Sequence, residues 1–213
     1  MKPVPDYSLY LVTDAALAGA RGVETVVQAA VTGGVTIVQW REKDGDNRTL
    51  LPRVQRLRDW LRIRHVSFIV NDRVDLALAC DADGVHVGQG DLPCAEVRRR
   101  MGAHRLIGVS VSTAAEAAQA ERDGADYLGV SPVFATPTKP DAPAAAGLAG
   151  LRAIRAAVRL PLVAIGGIHA GNAAAVIAAG ADGIAVVSAI MAAAEPRAAA
   201  QALCAAIRNG RNN

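Results

Sequence analysis

The residues of this 213-residue chain that could do chemistry stand in short polar clusters, each directly behind a run of apolar, β-branched residues. In order they are Gln39-Trp40-Arg41-Glu42-Lys43, Asn71-Asp72, Gly88-Gln89-Gly90-Asp91, Gly108-Val109-Ser110, Thr136-Pro137-Thr138-Lys139, Gly166-Gly167 and Val187-Ser188. Asp72 and Asp91, with the amide of Asn71 alongside, suit a hard cation such as Mg²⁺, which prefers oxygen, keeps several waters and is completed by substrate phosphates. Helix N-capping is the competing use for either carboxylate, above all for Asp91 before Leu92-Pro93. Lysine is scarce: Lys2, Lys43 and Lys139 are the only ones among 23 basic side chains. Lys43 and Lys139 fall in the clusters, where an ammonium acts as a point charge on phosphate oxygens, and Arg41 adds a planar fork for the same oxygens. Gly166-Gly167, with Ser188 at the next strand end, fits a cradle of backbone N–H groups for a second phosphate, although a tight turn alone would account for the glycine pair. The histidines His65, His86, His104 and His169 have no partner at metal-ligand spacing, and His86, inside a strand, reads as a packed residue.

The elements that must position these groups follow from the periodicity. Candidate strands are Leu9–Thr13, Thr36–Arg41, Ser67–Asn71, Gly84–Val87, Leu106–Val111, Tyr127–Val130, Leu162–Ile165 and Gly183–Val187, and each is followed by a stretch of helical spacing. Alternation of that kind means a parallel sheet. Eight such units in one α/β domain spanning residues 1–213 predict a closed (β/α)₈ TIM barrel, with a doubly wound open sheet as the alternative. Gly33-Gly34, Gly124 and Gly180 sit where helices should end, Pro52 suits a first helical turn, and Asp81-Ala-Asp-Gly84, Gly124-Ala-Asp126 and Gly180-Ala-Asp-Gly183 mark helix-to-strand turns at the barrel floor. Barrel chemistry is built at the opposite end, from the loops behind the strands, which is where the polar clusters fall.

Composition narrows the function further. Twenty-three basic side chains against 20 acidic leave a net charge of only +3, and aromatics make up 3% of the chain, so neither a nucleic-acid surface nor a base-stacking platform is expected. Arg53, Arg56, Arg58, Arg62 and Arg64 lie opposite the apolar series Leu50, Val54, Leu57 and Leu61 and read as a solvated helix face. No apolar run is long enough for a membrane span, and no signal-peptide layout opens the chain. Cys80, Cys94 and Cys204 are widely separated and read as reduced structural thiols; a cytosolic protein is expected, and a homo-oligomer is compatible with it.

Taken in order, the clusters resemble the thiamine-phosphate synthase family over roughly residues 8–190. The resemblance implies that Gln39, Trp40, Arg41, Glu42, Lys43, Asn71, Ser110 and Lys139 bind an aminopyrimidine diphosphate, with Arg41, Lys43, Ser110 and Lys139 serving catalysis. It implies Mg²⁺ on Asp72 and Asp91, and a thiazole phosphate against Thr136, Pro137, Thr138, Gly167, Val187 and Ser188. Diphosphate leaves an aminopyrimidine-methyl carbon and the thiazole nitrogen captures the resulting cation, so no protein nucleophile is required. Two other readings are a thiazole tautomerase-like barrel, against which the sequence Ser110-Val111-Ser112-Thr113 lacks the histidine expected after the serine, and a non-catalytic phosphate-ligand binder, which has little use for Asp72 and Asp91. The Pro- and Ala-rich stretch 135–147 is expected to form a lid over substrate. On this reading Asp72→Ala or Lys43→Ala lowers kcat by about 10²–10³-fold while leaving thiazole-phosphate affinity nearly intact; near-normal turnover in either variant contradicts the assigned role.

Overall fold

A computed structural model describes residues 4–42, 45–136 and 144–212. Eight strands, β1 (Leu9–Val12), β2 (Ile37–Trp40), β3 (Ser67–Asn71), β4 (Gly84–Val87), β5 (Leu106–Val111), β6 (Tyr127–Val130), β7 (Leu162–Ile165) and β8 (Gly183–Val186), pair in chain order, all parallel. β8 pairs back onto β1, with Leu9 opposite Ile184, so the sheet has no edge and the open-sheet alternative is excluded. The connections are α1 (Ala15–Ala18) and α2 (Val23–Thr32) after β1, α3 (Asn47–Arg62), α4 (Val74–Ala79), α5 (Cys94–Met101), α6 (Ala114–Arg122), α7 (Gly147–Ala157) and α8 (Ala173–Ala178), then α9 (Ser188–Met191) and α10 (Pro196–Arg211) after β8.

Period-two alternation sorts the strand residues into two cores. Leu9, Leu11, Val38, Trp40, Phe68, Val70, Ile107 and Val109 face outward and pack under the helices, while Tyr10, Val12, Ile37, Ile69, Leu106, Tyr127, Val163 and Ala185 fill the barrel. On α3 the buried stripe is Leu50, Val54, Leu57 and Leu61, as its spacing predicts. The opposite face is less uniformly solvated than expected: the Arg58 side chain is only 13% exposed, and it bonds the Cys80 carbonyl and approaches Asp81. Pro52 is not in the first turn either. Asp46 caps α3 by accepting from Arg48 N, so the helix begins earlier and Pro52 sits inside it, one backbone donor short. Burial pushes the Cys80 and Cys94 thiols up to about 11, consistent with unreactive packing. Among the described residues no helix is long and apolar enough to cross a membrane.

One device recurs around the barrel floor. Asp83, Asp126 and Asp182, each one residue before or at the start of an even-numbered strand, accept from Phe68 N (2.8 Å), Ile107 N (2.8 Å) and Leu162 N (2.7 Å). Their own N–H groups donate back to the carbonyls of the same three residues. Thr36 does the equivalent before β2, accepting from Leu9 N at 3.2 Å and donating to its carbonyl. The repeated Ala-Asp phrases are therefore clips that bind each odd strand to the next even one. Asp126 is held in addition by Arg98, at 2.5 Å, and Arg98 also bonds the Gly102, Arg105 and Gly124 carbonyls. Removing a half-buried acceptor leaves a backbone donor unmet. Asp126→Ala should lower unfolding free energy by about 2–3 kcal/mol, read by urea denaturation, and Asp126→Asn should recover part of that loss; an unchanged midpoint in the alanine variant contradicts the clip.

Candidate active site

The strand ends enclose a cavity of about 400 Å³ at the carboxyl end of the barrel. Its wall contains Gln39, Arg41, Asn71, Asp72, Asp91, Ser110, Thr136, Gly167, Val187 and Ser188, so ten of the residues singled out by sequence share one space. Trp40 does not. Its neighbours Gln39 and Arg41 face the cavity, so alternation turns the Trp40 ring outward, where it is 2% exposed and lies beneath the Arg53 guanidinium at 5.3 Å. The Trp40 side chain thus packs the helix layer and does not line the cavity. Glu42 is half-buried and is not part of the cavity wall. Lys43, Pro137, Thr138 and Lys139, and with them most of the expected lid, lie outside the described residues.

Two acidic groups flank the rim. Asn71 ends β3 opposite His86 on β4, and the next residue, Asp72, adopts φ +59°, a left-handed conformation that Asp tolerates better than most residues. Its N–H donates to the His86 carbonyl at 2.8 Å, which anchors the bend. Asp91 accepts from Gly88 N through Oδ2 at 2.7 Å. Neither is a helix cap: α4 and α5 start behind Arg73 and Pro93 with no side-chain cap. The capping alternative therefore does not account for them. Among the described residues no three His, Cys, Asp or Glu side chains cluster as metal ligands. Two carboxylates at adjacent strand ends match a cation that takes few protein ligands and completes its shell with water and phosphate.

Arg41 is set by its neighbours. Its N–H donates to the buried Thr13 hydroxyl (2.9 Å), and its guanidinium lies 3.6 Å from Asp14, which also caps α1 through Leu17 N. Across the cavity, Gly166 (φ +103°) and Gly167 (φ +62°) occupy backbone conformations disfavoured for other residues. A Cβ on Gly167 would stand 2.7 Å from the Ala135 carbonyl, and one on Gly166 would stand 2.6 Å from Pro132. The Gly166 and Gly167 carbonyls are taken by Phe134 N (3.1 Å) and the Asn172 amide (2.9 Å), which fixes the loop where it lines the cavity. It sits near the first turn of α9, whose leading N–H groups have no helical acceptor.

Sequence reasoning passed over Tyr10, His86, Tyr127 and His169, all of which line the cavity. Tyr10 and Tyr127 are buried and hydrogen-bonded to each other at 2.9 Å; burial raises the ionisation of both phenols well above the usual tyrosine range. His86 bridges Tyr127 (3.1 Å) and Ser110 (2.9 Å). The available signal was parity: His86 stands two residues before Gly88, on the same strand face. Ser112 and Thr113, behind β5 where a histidine would mark a tautomerase, instead cap α6: Thr113 accepts from Glu116 N, and Glu116 accepts from Ser112 N and Oγ.

Residues 9–190 match the family model described as thiamine monophosphate synthase. The chain is 57% identical over 204 residues to a thiamine-phosphate synthase of Chloroflexus aurantiacus, covering 96% of this chain and 94% of that one. It is 49% identical over 200 residues to the Moorella thermoacetica thiamine-phosphate synthase, covering 94% and 95%. A solved thiamine phosphate pyrophosphorylase from Pyrococcus furiosus superposes with a TM-score of 0.88 at 39% identity, covering 97% of this chain and 98% of that one. Gly167→Ala should weaken thiazole-phosphate binding by about tenfold or more, the loss of at least one hydrogen bond to a charged group, in calorimetric titration; unchanged affinity means the glycine pair is only a turn.

Proposed function

Because the chain belongs to the thiamine monophosphate synthase family, we propose that it joins 4-amino-2-methyl-5-(diphosphomethyl)pyrimidine to thiazole phosphate, giving thiamine monophosphate and diphosphate. The observation that supports this reading is a single cavity lined by charged side chains at one edge and by a glycine pair with a serine at another. Arg41, Asp72 and Asp91 stand on the β2 to β4 side, and Gly166, Gly167 and Ser188 on the β7 to β8 side.

The carbon–oxygen bond to diphosphate breaks, the pyrimidine-methyl carbon carries the positive charge, and the thiazole nitrogen closes the new carbon–nitrogen bond. Negative charge therefore grows on the leaving group, and donors fixed beforehand around it lower the barrier. Arg41 is suited to that work because Thr13 and Asp14 hold it in place before substrate arrives. Asn71 and Ser110 add neutral donors, and Lys43 and Lys139 would add ammonium groups. Asp72 and Asp91 would hold Mg²⁺, which when bound supplies charge neutralisation on the diphosphate oxygens. Tyr10 and Tyr127 line the inner cavity without a charge at neutral pH, giving the planar pyrimidine an apolar and aromatic bed. The N–H groups of the glycine loop, with Val187, Ser188, Thr136, Pro137 and Thr138, would hold the thiazole's phosphate so that its ring nitrogen faces the carbon. Three unpaired thiols accord with work in the reducing cytosol.

The deciding assay mixes the two purified substrates with the protein and follows inorganic diphosphate. Release should occur with Mg²⁺, stop on chelation, and fall by about 10²-fold or more in Asp91→Asn. Absence of release overturns the activity, and release indifferent to chelation overturns the metal site.

A further inference from the structure

Five polar side chains inside the barrel form a continuous line. Gln39 Nε2 lies 2.8 Å from Tyr10 Oη, Tyr10 Oη lies 2.9 Å from Tyr127 Oη, Tyr127 Oη lies 3.1 Å from His86 Nδ1, and His86 Nε2 lies 2.9 Å from Ser110 Oγ. We infer that this line is a directional relay that fixes His86 as the neutral tautomer protonated on Nε2 and makes Ser110 a hydrogen-bond donor into the cavity, with Tyr127 as the positioning residue.

The direction follows from counting protons. A carboxamide nitrogen only donates, so Tyr10 accepts from Gln39 and its single proton goes to Tyr127. Tyr127, having accepted, donates to His86 Nδ1. A neutral imidazole that accepts at Nδ1 carries its hydrogen on Nε2, and that hydrogen points at Ser110 Oγ. The Ser110 proton is then directed away from the ring, toward the cavity that Ser110 lines. Rotating the Gln39 carboxamide by half a turn would reverse every bond and leave Ser110 offering a lone pair. Gln39 Nε2, not its oxygen, faces Tyr10, and that orientation alone carries the tautomer; diphosphate oxygens only accept, so a diphosphate ligand at Ser110 favours the same direction, and this second support rests on the proposed function.

The barrel gives up volume to hold the line. A Cβ on Gly108 would stand 2.2 Å from Tyr127 Cζ and 2.4 Å from His86 Nδ1, and one on Gly129 would stand 2.9 Å from His86 Cε1. Neither glycine has a left-handed backbone. The requirement at both is space for the two rings that meet in the relay.

The test is nitrogen NMR on the full chain with labelled histidine. His86 is assigned by replacing the exposed His65, His104 and His169 with Gln. Wild type should show a protonated Nε2 and a bare, accepting Nδ1 at His86; the opposite tautomer overturns the relay, whatever any variant does. Tyr127→Phe removes only a hydroxyl. It should release the tautomer preference and lower kcat on the order of 10²-fold, with KM for thiazole phosphate little changed. A fixed tautomer and unchanged kcat in that variant also overturn the relay. If wild type has the expected tautomer but releases no diphosphate from the two substrates, the relay stands and the proposed reaction falls.

Discussion

Closure of the sheet is the constraint on which everything else rests. With β8 paired to β1, every strand has two neighbours and two buried faces, and the side chains of alternate residues are committed to one face or the other. A slip of one residue in any strand would exchange Gln39 for Trp40, or Ser110 for Val109, in the barrel interior. The floor clips act against such slips. Thr36, Asp83, Asp126 and Asp182 each grip the odd strand before them through both a backbone and a side-chain bond. Register at the floor thus fixes which atoms reach the mouth, several residues away along rigid strands.

The cavity is graded in charge from rim to interior. Arg41, Asp72 and Asp91 stand at strand ends, where water and ligand phosphates can compensate their charge. Deeper in, Gln39 is 4% exposed and Tyr10 and Tyr127 are buried, and the polar groups are neutral and meet one another's hydrogen-bonding needs. Burying an ion without a partner costs several kcal/mol, whereas a satisfied neutral network costs little and rigidifies its members. An arrangement of this kind suits a reaction in which charge separates near the mouth while a flat, weakly polar ring is held below.

The supporting residues are as specific as those at the rim. Thr13 and Asp14 hold Arg41, Gln89 donates to the Ser110 carbonyl, and Asn172 ties Gly167 to the start of α8. Each is an ordinary polar residue in a loop, and nothing in its local sequence distinguishes it from a solvated one. The roles of Thr13, Asp14 and Gln89 exist only once distant loops are brought together, whereas Asn172 acts within its own loop, accepting from His169 N while its amide grips the Gly167 carbonyl.

The strands, their order and the polar clusters behind them were legible because a parallel barrel strand is apolar on both faces and ends abruptly where it meets water. β3 to β7 have the expected bounds, and β1, β2 and β8 are shorter by a residue or two at their ends. That same double burial hid the parity. With both faces apolar, hydropathy cannot say which alternate set enters the barrel, so Trp40 reads as a site residue beside Arg41, His86 reads as packing, and Tyr10 and Tyr127 draw no notice. The sequence by itself determined which residue types could meet at the mouth, since chain order and strand periodicity are local properties. Only the tertiary structure decided which of them face one another across the barrel, because inside and outside are defined by closure, and closure belongs to no single segment.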